Sequence, residues 1–139
     1  MRSNTVGTRP EKGVTMFQID SLSHVPVYEQ LIRQVENYVL TGVLRGGDKL
    51  PSVRALAGGL AINPNTIQKA FAELDRRGIT CSVPGKGSFI SPEAKQVLAG
   101  EHREELKELE NYLRDFQLAG IEKEEILKCV EKVYGGDKQ

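Results

Sequence analysis

The feature that most constrains the fold is a change in hydrophobic periodicity at Gly78. Before this glycine, apolar residues recur every three or four positions in three successive segments, which is the pattern of amphipathic helices. After it, residues 79–83 and 88–90 have the two-residue period of strands, and Pro84-Gly85-Lys86-Gly87 between them is typical of a hairpin turn. The sequence therefore predicts a mostly α fold with a small β-hairpin.

Each segment before Gly78 has residues typical of helix ends. Pro26 suits the first turn of one helix, and Gly42 suits the position after its last turn. A second, short helix begins near Ser52, whose hydroxyl can cap it, and the pair Gly58-Gly59 predicts that it ends early. The apolar faces of the three helices are formed by Val27, Leu31, Val35, Tyr38 and Val39, by Val53, Leu56, Ala57 and Leu60, and by Ile67, Ala70, Phe71 and Leu74.

The third helix begins at the pair Asn63-Pro64. The Asn63 side chain can accept a hydrogen bond from an otherwise unpaired backbone N–H, and a proline at the first helical position loses no helical hydrogen bond. Two helices separated by a tight break and followed by a hairpin predict a winged helix-turn-helix. In that motif, the helix from Asn65 onward is the recognition helix.

Charge divides the chain of 139 residues in a similar way. The formal net charge is zero, which by itself argues against a nucleic-acid-binding protein. Residues 1–15, however, carry three basic and one acidic side chain, residues 16–92 carry eight and six, and residues 93–139 carry eight and twelve. We therefore predict a disordered arm over 1–15, a mildly basic winged-helix domain over 16–91 and an acidic helical tail over 92–139.

The composition also argues against several other classes of protein. No apolar run approaches the roughly 18 residues that span a bilayer, and the N-terminus has no apolar stretch typical of a signal peptide, so we predict a cytoplasmic protein. Cys81 and Cys129 match no metal-ligand spacing and are expected to be packed free thiols. His24 and His102 are isolated. We expect no metal site, no cofactor and no catalytic residues, and therefore no enzyme.

Four motifs follow one another in order: Pro26–Leu31 (PVYEQL), Gly47–Ala57 (GDKLPSVRALA), Asn63–Phe71 (NPNTIQKAF) and Gly85–Ile90 (GKGSFI). Together they resemble the DNA-binding domain of the GntR family of bacterial transcription regulators. The short tail resembles the YtrA subfamily, in which this part serves dimerisation. The resemblance implies a regulator, most often a repressor, that binds double-stranded operator DNA at the nucleoid. It also implies that the target is an operon encoding an ABC transporter.

Two residues at the start of the second helix are candidate DNA contacts. A guanidinium at Arg54 can bind a phosphate in two places or reach a guanine edge, and the resemblance favours this role. The alternative is an arginine on a solvated face, paired with Asp48 or Glu73. Ser52 can cap its helix while a neighbouring backbone N–H meets a phosphate.

The start of the recognition helix supplies five more candidates, which are Asn63, Asn65, Thr66, Gln68 and Lys69. Asparagine presents a donor and an acceptor together, as an adenine edge requires, whereas Thr66 and Lys69 suit phosphates. Pure capping is an equal alternative for Asn63. Many family members have arginine where Pro64 and Gln68 stand, so this surface predicts adenine-containing sites.

The hairpin turn contributes Lys86 and Gly87. Lys86 can enter a minor groove or meet a phosphate, and Gly87 lets the backbone come close to a neighbouring chain. A phosphate-binding P-loop is excluded, because Thr80 stands where its first glycine is needed and Gly87 directly follows the lysine. A plain surface hairpin is the remaining alternative.

The tail is predicted to be a two-helix segment whose apolar residues form a dimer interface. These residues are Leu106, Leu109, Leu113, Phe116, Ile126, Val130 and Val133. Two helices cannot enclose a core, so a symmetric homodimer is the expected solution. A dimer also supplies the affinity that one small module lacks. Packing within one chain and a small-molecule effector pocket are the alternatives left open.

The predicted function is a homodimeric, sequence-specific regulator of transcription on a two-fold operator. A winged-helix module that binds another protein instead of DNA is one alternative, and it would give a flat salt dependence of DNA binding. A fragment of an enzyme is another, because some relatives fuse this domain to a pyridoxal-phosphate-dependent fold. The 139 residues contain no segment that could form such a catalytic domain, so this alternative is not favoured.

Overall fold

The computed structural model describes residues 13–136 of the chain. After a 3-10 turn at Val14–Met16, the elements are α1 (Val27–Leu40), α2 (Val53–Leu60), α3 (Pro64–Arg76), β1 (Thr80–Val83), β2 (Gly87–Ile90), α4 (Ala94–Glu104), α5 (Leu106–Leu118) and α6 (Lys123–Tyr134). The predicted fold class, mostly helical with a small hairpin, is confirmed. The chain divides into two compact units, the first ending at Ala99 and the second beginning at Gly100.

The core of the first unit lies among α1, α2, α3 and the hairpin. The N–H of Leu44 donates to the Tyr38 carbonyl at 2.9 Å, across the end of α1, while Gly42 has a φ of +85°. This is the glycine-capped helix end predicted from the sequence. The buried apolar residues are Phe17, Leu31, Ile32, Val35, Val39, Leu44, Leu50, Leu56, Ile67, Ala70, Leu74, Ile79, Ile90, Ala94 and Leu98.

Helix α2 continues through Gly58 and Gly59 to Leu60, so the prediction of an early end is wrong. The reason is tertiary: a Cβ atom on Gly59 would lie 2.5 Å from Cγ1 of Val14. The missing side chain makes room for the N-terminal segment, and this packing offsets the low helix propensity of glycine. The helix ends instead at Ala61, which has a left-handed backbone conformation with φ 56° and ψ 50°.

The disordered arm predicted for residues 1–15 is wrong for Val14 and Thr15, which belong to the 3-10 turn. Val14 packs on Gly59, and the Tyr38 hydroxyl donates to the Met16 carbonyl. Apolar burial and these contacts order the segment. Residues 1–12 of the predicted arm lie outside the described residues.

The hairpin of β1 and β2 is antiparallel, with Thr80 opposite Ile90 and Val83 opposite Gly87. The chain before α2 pairs with the other edge of β2. Gly47 N–H donates to the Ile90 carbonyl at 2.7 Å, and Ile90 N–H donates to the Asp48 carbonyl at 2.8 Å. No local sequence signal points to this pairing, because the partner strand follows about forty positions later.

Helix α4 begins in the first unit, where Ala94 and Leu98 are buried with the core. The boundary predicted after Ser91 therefore lies before the division observed after Ala99. The second unit contains α5 and α6, which end the described chain. Glu122 is the N-cap position of α6.

Candidate nucleic-acid interface

Helix α3 has one buried face and one exposed face. Ile67, Ala70 and Leu74 are buried in the core. The opposite side chains, Asn65, Gln68, Lys69 and Ala72, are exposed, and we call these four residues the α3 face. Three of these four side chains, Asn65, Gln68 and Lys69, are polar and face solvent. Such a helix can lay its exposed face against the base edges of a major groove.

The start of α3 is fixed by Asn63. Its side-chain oxygen accepts a hydrogen bond from the Asn65 backbone N–H at 2.8 Å, and Pro64 occupies the first turn. Capping therefore uses the Asn63 oxygen and leaves the two amide N–H donors exposed. Thr66 is half-buried behind this turn. The capping role predicted for Asn63 is confirmed, and base contact by Asn63 or Asn65 stays a prediction.

Arg54 and Gln68 line one surface hollow between α2 and α3. This hollow has a volume of about 620 Å³ and is lined by Val53, Arg54, Ala57, Gly58, Ile62, Pro64 and Gln68. Arg54 is exposed and pairs with neither predicted alternative within the described chain. Glu73 binds Arg76 instead, at 2.6 Å, and Asp48 accepts from the Arg45 backbone N–H. The fold thus brings two separately predicted residues together.

Ser52 lies at the start of α2, close in sequence to Arg54. The Ala55 backbone N–H donates to the Ser52 hydroxyl oxygen at 3.0 Å, so the serine is the predicted cap. The hydroxyl proton is not used by this bond and can still be donated. Because Ser52 is exposed, this donor is open to a group outside the protein.

Lys69 has a different neighbour from Arg54 and Gln68. Its ammonium lies 3.9 Å from the ring centroid of Tyr28 on α1, in a cation–π contact. The sequence pattern did not assign Tyr28 to a site, and the pairing has no local signal because the two residues are far apart in the chain. The contact holds the Lys69 charge at the edge of the α3 face.

Ion pairs surround the C-terminal half of α3. Arg77 contacts Glu36 of α1 at 2.6 Å, and both side chains are largely shielded from solvent. Arg76 binds Glu73 through two hydrogen bonds. The hydrogen bond from Arg76 lowers the pKa of the Glu73 carboxyl. The Arg77–Glu36 pair joins the end of α3 to α1, whereas the Arg76–Glu73 pair lies within α3.

The hairpin, or wing, is tied to α3 by Asp75. The hydroxyls of Thr80 and Ser82 on β1 both donate to the Asp75 carboxylate. The sequence prediction missed this contact, although an acidic residue just before two hydroxyl-bearing strand residues was a usable signal. Lys86 and Gly87 are exposed at the turn of the wing, as predicted for a hairpin tip.

The second unit exposes most of the apolar residues predicted as a dimer interface. No residue of α5 or α6 is buried. Leu106 is 55% exposed, Leu109 48% and Val133 73%, and Val130 and Phe116 are also exposed. Leu113 and Ile126 are half-buried and line an apolar hollow of about 610 Å³ with Phe116, Ile121 and Leu127. We call these exposed and half-buried apolar residues of α5 and α6 the tail face.

Residues 13–136 offer little support for other kinds of site. They bring together no group of three or more His, Cys, Asp or Glu side chains suited to a metal ion. Of the helices in that range, none is both long and apolar enough to cross a membrane. Cys81 and Cys129 are free and exposed, so the expectation that they are packed is wrong.

Comparison with known proteins agrees with this geometry. The family described as bacterial regulatory proteins, gntR family, matches residues 27–90. The HTH-type transcriptional repressor YtrA of Bacillus subtilis is 41% identical, over 85% of this chain and 92% of its own length.

Two solved structures resemble most of the chain. A transcriptional regulator from Oenococcus oeni has a TM-score of 0.67 at 34% identity, covering 84% of this chain and 97% of its own. A GntR family transcriptional regulator from Listeria monocytogenes has a TM-score of 0.64 at 34% identity, covering 82% and 98%. With a family match over the winged helix and relatives of similar length along most of the chain, this protein belongs to the GntR family of DNA-binding bacterial transcription regulators and is YtrA-like.

Proposed function

We propose that this regulator is a homodimeric repressor that reads a two-fold DNA operator. Each α3 lies in a major groove, with Arg54 and Ser52 at the groove edge and Lys86 and Gly87 of the wing on the adjacent backbone. The tail faces of two copies join the protomers and set the spacing of the half-sites. The repressor activity is carried over from the name of the YtrA relative.

The observation that carries the proposal is the polar α3 face beside Arg54. Arg54 and Gln68 line one hollow although they come from different helices. Asn65 and Gln68 can form paired hydrogen bonds with adenine, and Arg54 is suited to a phosphate or a guanine. The centre of a protein–protein interface is enriched in aromatic residues, whereas the α3 face has none.

The support for a homodimer is the exposure of the tail face. An isolated hairpin of helices with no buried residue gains little from the hydrophobic effect, whereas a second copy would cover side chains such as Leu106 and Leu109. A self-complementary patch on identical chains closes into a two-fold dimer. A small-molecule effector in the apolar hollow of α5 and α6 is the alternative occupant.

The proposal is tested by DNA binding of the wild type and of Arg54→Ala. The probe is a duplex selected by the wild type from a random-sequence pool, which also reveals the half-site and its spacing. A bidentate arginine contact contributes about 1–3 kcal/mol, so we expect affinity to fall about 5- to 150-fold per half-site.

Arg103→Ala is the matched control, because it removes the same charge from an exposed residue at the end of α4. Its affinity should equal that of the wild type. Unchanged binding by Arg54→Ala would contradict the role of Arg54. A wild type that selects no sequence and binds DNA with no salt dependence would favour the protein-interaction module.

The regulated genes and the cellular compartment follow from the subfamily resemblance alone. We propose a target operon that encodes an ABC transporter and action in the cytoplasm, where operator DNA is found. Gel shifts with the promoter upstream of the protein's own gene test the first point. Binding there that is no tighter than to random DNA would contradict it.

A further inference from the structure

The edge of the wing carries a basic residue, Lys49, which is not among the DNA contacts predicted from the sequence. Its backbone belongs to the segment that pairs with β2, where Lys49 lies opposite Phe89. The N–H of Leu50 donates to the Ser88 carbonyl at 2.9 Å, and the Leu50 side chain is buried. The position of Lys49 is therefore fixed on the sheet as firmly as that of a strand residue.

The side chain of Lys49 crosses the wing at Gly87. A Cβ atom on Gly87 would lie 3.0 Å from Cε of Lys49 and 3.8 Å from its Nζ. A side chain there would press on the lysine stem. Gly87 also has a φ of +120°, which non-glycine residues rarely adopt. Gly87 thus leaves a path along which the Lys49 ammonium reaches the surface beside the turn of the wing.

The Lys49 ammonium is open to a group outside the protein. Lys49 is exposed and takes part in none of the ion pairs among residues 13–136. Three residues later, Ser52 caps α2, so at most about 10 Å of extended chain separates their Cα atoms. Lys49 therefore lies between the two parts of the first unit that are proposed to meet DNA, the start of α2 and the wing.

We propose that Lys49 binds a backbone phosphate of operator DNA. A DNA strand that passes from α2 to the wing meets this ammonium in between. The inference rests on the proposed placement of α2 and the wing on DNA.

The test is the salt dependence of DNA binding by Lys49→Met, which keeps an unbranched stem and removes the charge. Each neutralised phosphate contributes about 0.9 to the slope of log affinity against log salt concentration. We expect the slope to become less steep by about 0.9 per protomer, equally on the selected duplex and on a random duplex, because phosphates carry no sequence information. Lys49→Arg should retain the wild-type slope.

Lys107→Met is the matched control, because Lys107 is an exposed lysine of the second unit and the same charge is lost. Its slope should match that of the wild type. If Lys49→Met also retained the wild-type slope while the wild type bound the selected duplex, Lys49 would be an ordinary surface lysine and the inference would be overturned. If the wild type selected no duplex, the proposed function would fail instead. Thermal unfolding of Lys49→Met checks that the variant is folded.

Discussion

The two units of this chain both contain amphipathic helices, but the apolar faces of these helices differ in burial. In the first unit, Leu56, Ile67 and Leu74 are completely buried, and the helices, the wing and the N-terminal segment share one core. In the second unit, α5 and α6 have regularly spaced apolar residues, yet no side chain of these helices is buried. An apolar stripe therefore tells where a helix needs a partner, and it does not tell whether that partner lies in the same chain.

The substitution Phe116→Asp has the largest expected effect, because it should disrupt the proposed dimer formed by the second unit. Phe116 lies on the tail face and lines its hollow, so a buried carboxylate there would prevent two copies from meeting. We expect the mass measured by sedimentation to fall to that of one chain. Linking two binding modules raises affinity about 10²–10⁴-fold, so affinity for a two-half-site duplex should fall by that factor.

Asn111→Asp is the control for this change, because it adds the same charge to an exposed polar residue of α5. This variant should remain dimeric. A monomeric Phe116→Asp that bound the full site as tightly as the wild type would show that dimers are not needed for DNA binding.

The second prediction compares leucine truncation in the two units. Leu56→Ala removes a completely buried side chain, and we expect it to lower the free energy of unfolding by about 2–5 kcal/mol at every protein concentration. Leu109 is 48% exposed, so Leu109→Ala should have a much smaller effect in the monomer and a larger one where dimers form. Denaturant unfolding over a range of protein concentrations measures both.

Equal and concentration-independent losses for the two variants would contradict the distinction between the units. Such a result would mean that Leu109 is buried within its own chain in solution. The apolar stripe of α5 would then serve the fold of one protomer.

The smallest expected effect comes from Ala61→Gly, which tests whether the backbone of the first unit is strained at Ala61. Its left-handed backbone costs a residue with a Cβ atom roughly 1–2 kcal/mol, while glycine gains freedom in the unfolded chain. We expect Ala61→Gly to raise the free energy of unfolding by about 0.5–1 kcal/mol and the melting temperature by a few degrees. Ala72→Gly, at an exposed position within α3, should lower stability by about 1 kcal/mol. If Ala61→Gly lowered the free energy of unfolding, the left-handed backbone at Ala61 would not be strained.

The features that could be predicted from the sequence are those that depend on interactions between residues close together in the chain. The caps at Ser52 and Asn63, the glycine after α1 and the turn of the wing all depend on residues within a few positions. These signals were sufficient for the end of α1, the starts of α2 and α3 and the hairpin.

The remaining features depend on contacts between distant parts of the chain. The helix continues through Gly59 because Val14 packs there, and Lys69 lies over Tyr28 because α1 and α3 pack together. The pairing of Lys49 with β2 has the same origin. A short window of sequence does not contain both residues of such a contact. For the same reason, the hollow shared by Arg54 and Gln68 could be found only in the folded chain.

The Asp75 carboxylate has a consequence for how operators are chosen. Because it accepts hydrogen bonds from the hydroxyls of Thr80 and Ser82, the end of α3 and the first strand of the wing are joined before any DNA arrives. In the proposed complex, the distance between the helix in the major groove and the wing on the backbone is thus set by the protein. The DNA must supply the matching groove width, so sequences that deform easily to it gain affinity at base pairs that no side chain touches.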